Sequence, residues 1–349
     1  MDTLFSRMVS PAPRDLWLRL VEGDPGSTLC HSPQWVDALS EHTPWSDASR
    51  YYETTDGTSF VLPLLRRGPR SAAGLQASTP SGWGMGGFVG TAGIRSSDIS
   101  AALDDVRSLN ALGVRILPNP LRGDVWSSAD LCHSVSLQRY AHVLLLDRPY
   151  ESVWTDSYHR STRQNVKKAA RAGLDVERDT TGRLIATYRQ LFRQSVERWA
   201  DRSREPRWLA RVRGYREDMP GKLEFLAQRL GDSMVTWVAS FRGEPAASLI
   251  TLRGTSVFAW RSAMDENLAR ATCAGHLLHD HAIQEACGDD ATYYHFGESG
   301  PSCGLCTFKE RFGATGYRYP EVRFEHVPYT RTNQAARTVV KRLIGYRSC

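Results

Sequence analysis

The amino-acid sequence predicts an α/β (α+β) protein of two domains, in which mixed sheets are flanked by helices. Three observations carry that expectation. The chain has 349 residues, 41% of them hydrophobic, and single cores stop growing near about 250 to 300 residues, so two ordinary domains are expected. Helical and strand-like patterns follow one another through the first half, which marks mixed α and β structure. In the second half, MVTWVASF, PAASLITL and SVFAWRSA are runs of strand length, rich in β-branched and aromatic residues and separated by Arg242-Gly243 and Arg253-Gly254. They read as an antiparallel meander.

In chain order, PQWVDALSE (33–41) places Trp35, Val36 and Leu39 on one side of a short helix, and SRYYETTDGTSFVLPLLRR reads as a hairpin around Asp56-Gly57. The Gly-rich TPSGWGMGGFVG (79–90) lacks both the lysine of a P-loop and dinucleotide spacing, so it reads as an irregular or substrate-lining loop. SSDISAALDDVRSLNALGVRILPNP reads as an N-cap serine, a helix and the strand VRILP, and RYAHVLLLD as a further strand. SYHRSTRQNVKKAARAGLDVERD is a helix with Val166, Ala169 and Ala170 on its apolar side and Gly173 at its C-terminal end. Arg160, Arg163, Lys167 and Arg171 recur on another face, as either a solvated face or a phosphate-binding one. A helix, RLIATYRQLFRQSVERWA, and an Arg/Trp-rich stretch lead to the meander. NLARATCAGHLLHDHAIQEACGDD then reads as one helix, lined by Ala274, Leu278, Ala282 and Ala286 and ended by Gly288, before the strand TYYHFG.

The net charge of +6 favours contact with phosphates or other acidic surfaces. Only five of the 44 basic residues are lysines, a preference that by itself points to no function. The opening MDTLFSRMVSPAPRD has no continuous apolar core, and HVLLLD is far short of the roughly 20 residues that span a membrane, so a cytoplasmic, soluble protein without a membrane span is expected. Seven scattered cysteines imply reduced thiols rather than a disulfide framework. Cys303 and Cys306 form a C-x-x-C, with His276, His279, His281 and His295 upstream. Zinc would need a second well-placed pair, and redox chemistry would need the motif at a helix start after a strand. The cysteines therefore read as small residues in a loop, and no metal or cofactor is expected.

The order GEPAASLITL, VFAWRSAMDE, HLLHDHAIQEA, YYHFGESG, GLCTFKERFGA resembles the second half of the Fem-type aminoacyltransferases of the N-acetyltransferase (GNAT) superfamily. HSPQWVDAL and HRSTRQNVKKAARAGLDV extend the resemblance over most of the chain, and FK-x-x-FG, residues 308–313, is its most specific piece. The resemblance implies two GNAT-like lobes, residues 1–148 plus 325–349 and residues 149–324, the second carrying the FK-x-x-FG motif. Residues 178 to 230 show no sustained heptads, so the long coiled-coil arm of some relatives is expected to be absent.

GNAT enzymes hold the acyl-CoA pyrophosphate on backbone N–H groups at a helix start, which needs close backbone approach. Here that place reads RATCAG: Arg270 and Gly275 fit, but Cys273 stands where the first glycine belongs. Fem-type proteins have generally given up acyl-CoA and take an amino acid from aminoacyl-tRNA. The implied reaction is amide formation on an amine of a peptide or small molecule, a specialised metabolite or a cell-wall precursor, by a protein that is expected to be monomeric. An acyl-CoA N-acyltransferase and an inactive RNA-binding protein are the alternatives.

An activated ester needs positioning and oxyanion stabilisation above all. The family resemblance assigns a part in phosphate binding or transfer to the motif lysine, Lys309, expected as an exposed charge in a loop and flanked by Phe308 and Phe312 as anchors. His295 and Glu298, with Asp265 at the end of the meander, are candidate proton acceptors, none at a decisive spacing, and substrate-assisted proton transfer stays equally open. Lys309, Glu298 and His295 are thus the candidate catalytic residues. Trp83, Asp265, Tyr294 and Arg311 are the candidates for substrate binding. Arg160, Arg163, Lys167 and Lys168 are the candidates for tRNA. No nucleophile elbow or activated thiolate signature supports a covalent intermediate.

Overall fold

The structure is a computed structural model that describes residues 4–68, 74–91, 93–109, 111–300, 303–326, 330, 332–335 and 338–339. The chain divides into two compact units, one of Met1–Val143, Gly254–Ser256 and Gly316–Arg331, the other of Leu144–Arg253, Val257–Thr315 and Thr332–Cys349. The final segment, expected to rejoin the first lobe, lies mostly outside the described residues.

The first unit runs β1 (Phe5–Val9), α1 (Arg14–Glu22), α2 (Pro33–His42), β2 (Trp45–Asp47), β3 (Arg50–Thr54), β4 (Ser59–Leu62), β5 (Leu65–Arg67), β6 (Gly74–Ala77) and β7 (Val89–Gly90). It continues with α3 (Ser96–Ser108), β8 (Ala111–Ile116), α4 (Gly123–Ser127) and β9 (Val135–Leu145). The chain thus opens on a strand and a helix ahead of the predicted α2. β1 exposes three of its five residues and gains its place by pairing with β3, a tertiary cause that local pattern does not carry. The N-cap of α3 is Arg95 rather than a serine, because the Asp98 carboxylate accepts from the Arg95 backbone N–H at 2.8 Å. The core gathers Tyr52, Phe60, Phe88, Ile99, Leu103, Ile116 and Trp126.

The second unit runs α5 (Tyr150–Ser152), a π-helical turn (Val153–Ser157), α6 (Arg160–Arg171), β10 (Leu174–Asp179), α7 (Ile185–Ser203), α8 (Arg207–Glu217) and α9 (Lys222–Leu230). It continues with β11 (Met234–Phe241), β12 (Glu244–Leu252), β13 (Val257–Met264), α10 (Glu266–Thr272), α11 (Ala274–Gly288), β14 (Tyr293–Glu298) and α12 (Cys303–Glu310). Strand β15 (Thr315–Glu325) then leads back into the first unit. There Glu321, fully buried, accepts from Arg115 Nε at 2.7 Å, Arg323 Nε at 2.7 Å and Arg139 Nε at 2.8 Å. Arg115 and Arg323 stand directly opposite each other on β8 and β15, and Glu321 offsets the repulsion that such a pair carries. Burial pushes its pKa up, but Arg115 and then Arg139 override that and hold the carboxyl at about 2.

The sheet of the second unit has the order β10-β11-β12-β13-β14, and β11, β12 and β13 form the predicted meander through antiparallel pairs. Met234–Ala239 are all buried, so both faces of the sheet are covered. On one face α11 packs Leu278, Ala282 and Ile283 against Val235, Trp237, Ala239 and Leu249. Helix α7 touches β12 and β13 without entering that cluster, and so covers the other face. No coiled-coil arm is present among the described residues: α7 has 19 residues and is followed directly by the 11-residue α8, a helix formed by the Arg/Trp-rich stretch.

Two local departures shape the site. The single helix expected over 267–290 is broken at Cys273, whose φ of 58° ends α10 and starts α11. The loop expected around Cys303 and Cys306 is instead α12, which carries Lys309 in its last turn. Gly313, just beyond, has φ +87°, and a Cβ there would lie 2.6 Å from the Ser157 carbonyl oxygen. Only glycine allows α12 to leave the π-helical turn this closely. Gly313→Ala is therefore expected to lower stability by about 1–3 kcal/mol, read by thermal unfolding. An unchanged melting temperature would mean that the contact is relaxed in solution.

Candidate active site

The site is built where β13 and β14 part. Their parallel pairing is confined to Val257↔Tyr294 and Phe258↔His295, although β13 runs on to Met264 and β14 to Glu298. At the point of divergence Gly297 takes φ +73°, and a Cβ there would lie 3.2 Å from the Phe258 ring. The carbonyls at the end of β14 accept from a side chain as well.

That side chain is Lys309. Its Nζ donates to the Gly297 carbonyl at 2.8 Å, the Glu298 carbonyl at 2.8 Å and Ser299 Oγ at 3.1 Å, which uses the three donors of an ammonium. The side chain is 4% exposed, so the exposed loop charge expected from the sequence is instead a buried pin. Burial drives the ammonium down from 10.5 to about 8, while the charges of Cys306 and Glu298 oppose the fall.

The two phenylalanines of FK-x-x-FG explain how the lysine is aimed. Phe312 is fully buried and meets the rings of Tyr158 at 5.0 Å, Phe308 at 5.2 Å and Phe296 at 5.5 Å. Alternation along β14 sends Tyr294 and Phe296 into this cluster and His295 to the opposite face. His279 of α11 lies in the cluster, with Nδ1 2.8 Å from Tyr294 Oη. His276, one turn earlier, stacks on Phe312 at 5.8 Å and places Nε2 3.1 Å from Asn165 Nδ2 of α6. Burial, followed by the nearby Lys309 and His276, lowers His279 to about 3. Burial and then Arg311 lower His276 to about 4. Both imidazoles are neutral near pH 7. Neither His276 nor His279 is a predicted site residue. The signal available in the sequence is their i, i+3 spacing on one helix.

The other predicted residues separate into different settings. His295 is fully buried, which removes it from solvent as a proton acceptor. Glu298 is exposed, and it is its backbone carbonyl that holds Lys309. The Asp265 carboxylate caps α10 by accepting from Leu268 N at 2.9 Å, a helix-capping duty. Tyr294 is fully buried, and burial carries its phenol well above 10. Arg311 projects outward while its carbonyl accepts from Thr162 Oγ1 and His159 N, both at 2.8 Å. Trp83 belongs to the first unit, half-buried on the Gly-rich loop and 6.4 Å from the Trp35 ring.

The basic helix is not uniform. Arg163 turns inward, and one terminal nitrogen donates to the carbonyls of Thr155 at 2.8 Å and Tyr158 at 2.5 Å, so it caps the π-helical turn. Arg160, Lys167, Lys168 and Arg171 are exposed. Gln164, Lys167, Lys168, Arg171 and Ala172 line an open hollow of about 500 Å³. The inward face of α6, Val166 and Ala169, packs on Leu277 and Cys273, so this cationic surface borders the start of α11.

Two outcomes follow for stability. Lys309→Ala removes the donors of three acceptors, two part-buried and one buried, and is expected to cost about 1–3 kcal/mol, with Lys309→Met losing as much; an unchanged unfolding midpoint would contradict the pin. The two histidines act on the acid limb. Unfolded, they bind protons near 6.5, whereas folded they do so only near 3 and 4, so stability falls as pH drops from about 6.5 towards 4. His279→Phe should flatten that slope in denaturation series at pH 7 and 5, and an unaltered slope would show that His279 is protonated in the fold.

Comparison with known proteins adds to this geometry. Residues 157–310 match the family described as an acetyltransferase (GNAT) domain. A search of curated protein sequences finds no match. Among solved structures, the chain is similar to FemX, with TM-score 0.60 and 13% identity over 96% of this chain and 100% of that one. It is also similar to the C-terminal domain of a putative lysylphosphatidylglycerol synthetase from Agrobacterium fabrum, with TM-score 0.50 and 11% identity over 95% of each chain. The solved structures show the fold, and the family match supports an acyltransferase domain over residues 157–310. The chain has the Fem-like form of the GNAT fold.

Proposed function

We propose that the protein transfers an aminoacyl group from aminoacyl-tRNA to an amine of a peptide or small-molecule acceptor. The observation that carries the reading is Cys273. Its side chain and left-handed backbone stand at the start of α11, where a pyrophosphate cradle requires close backbone approach. The exposed cations of α6 beside it suit the phosphates of a tRNA end, and the FemX-like fold supports the same donor class.

In this reading the acceptor nitrogen attacks the ester carbonyl carbon, a C–N bond forms, and the C–O bond to the tRNA ribose breaks. The proton released by the amine ends on the ribose oxygen. Lys309 does not reach the substrate, because its three N–H bonds are taken; it is a positioning residue that fixes the end of β14 and sets a positive potential there. Glu298, exposed at that strand end, receives the amine proton and passes it on.

The test is to incubate the protein with charged tRNA and candidate acceptors, and to follow amide formation by mass spectrometry. Product is expected only with intact aminoacyl-tRNA, and product that survives RNase treatment of the donor would sink the proposal. Because Lys309 titrates near 8, the rate is expected to fall as pH rises through that value. A rate that stays flat up to pH 10 would remove its charge from the mechanism.

A further inference from the structure

An ordinary surface helix turns its large apolar residues inward; α8 does the reverse. Its inward positions are Ala210, fully buried, and Gly214, where a Cβ would already lie 3.2 Å from Val196 Cγ2 of α7. Its outward positions are Trp208, 67% exposed, Val212, 45%, and Tyr215, 61%. At 3.6 residues per turn these three fall within an arc of about 60°. Trp199 of α7 and Met219 just beyond α8 are exposed as well. Small residues inside fix the helix flush on α7, so the outward stripe is a consequence of the packing and not of a loose helix.

The surroundings of the stripe are cationic. Residues 202–216 contain six arginines and a single acid, Glu205. Arg207, Arg211 and Arg213 pair with Asp201, Glu197 and Glu205 at 2.6–2.9 Å. The Arg207 and Arg211 pairs are solvent-exposed and worth at most about 1 kcal/mol each, so those guanidiniums are available to stronger anions, whereas Arg213 is held by the buried side chain of Glu205.

We propose that this face docks on an anionic phospholipid bilayer, with Trp208, Val212 and Tyr215 entering the headgroup–acyl boundary and the flanking arginines meeting lipid phosphates. Tryptophan and tyrosine favour that boundary, and an amphipathic helix lying in it gains from both apolar burial and charge. A second copy of the chain would bring two arginine-rich segments face to face, and like charges oppose that. A nucleic acid would satisfy the arginines but offer no apolar surface to Val212 and Met219. The inference does not depend on the acyl donor.

The test uses the full chain in co-sedimentation with vesicles of phosphatidylglycerol mixed with phosphatidylcholine, and with vesicles of pure phosphatidylcholine. Sedimentation is expected only with the anionic vesicles and should weaken as salt is raised. The double variant Trp208→Ser/Tyr215→Ser, which alters only exposed side chains and should keep its circular dichroism spectrum, is expected to lower partitioning at least about tenfold. The proposal is overturned if the protein stays in solution with anionic vesicles, if it sediments equally with neutral ones, or if the double variant sediments like the parent. It is likewise overturned if the double variant loses tRNA binding or self-association while the parent never sediments.

Discussion

The bonds from Lys309 to the end of β14 are the constraint on which the second unit's site depends. The two parallel strands β13 and β14 part after a short pairing. Lys309 fixes the end of β14 there with three hydrogen bonds from one buried ammonium. The rest of FK-x-x-FG serves the same end. Phe308 and Phe312 lock α12 into the aromatic cluster beneath β14, and Gly313 lets the chain pass the Ser157 carbonyl. Burying the charge is costly, and the cost is visible in the depressed ammonium.

The pin also orders the elements around the opening. The Arg311 carbonyl, two residues after Lys309, ties down the start of α6 through His159 and Thr162, and Arg163 closes the turn before it. The same α6 packs on Cys273 and Leu277. Strand end, basic helix and interrupted α10–α11 junction are therefore parts of one packed arrangement. An exposed cationic surface and an interrupted helix start then stand side by side, and the proposed aminoacyl transfer rests on that pairing.

Much of this was legible in the sequence where the signal is local. The meander shows in three β-branched runs with Arg-Gly turns, and α6 shows in its period and in Gly173. Other features depend on tertiary context. β1 is a strand because β3 pairs with it. The Arg/Trp-rich α8 was missed because its apolar stripe faces outward. Cys273 interrupts a continuous helical pattern through a single backbone angle that no residue preference announces. Lys309 stands out in the sequence as a lysine between two phenylalanines, yet its burial is invisible there, because such a lysine can project to solvent or turn to a strand end. Arg163 and Arg160 share a stripe in the sequence and separate in the fold, since one finds carbonyls to cap and the other does not.

The most direct measurement is the titration of Lys309 itself, made practical by a chain with only five lysines. Carbon-13 labelling at lysine Cε, with the Lys309→Met spectrum for assignment, follows the resonance by NMR from pH 6 to 11. A midpoint near 8, with ammonium protons protected from exchange, is the result expected of a buried amine bonded to the end of β14. A midpoint at the ordinary 10.5 with rapidly exchanging protons would contradict it.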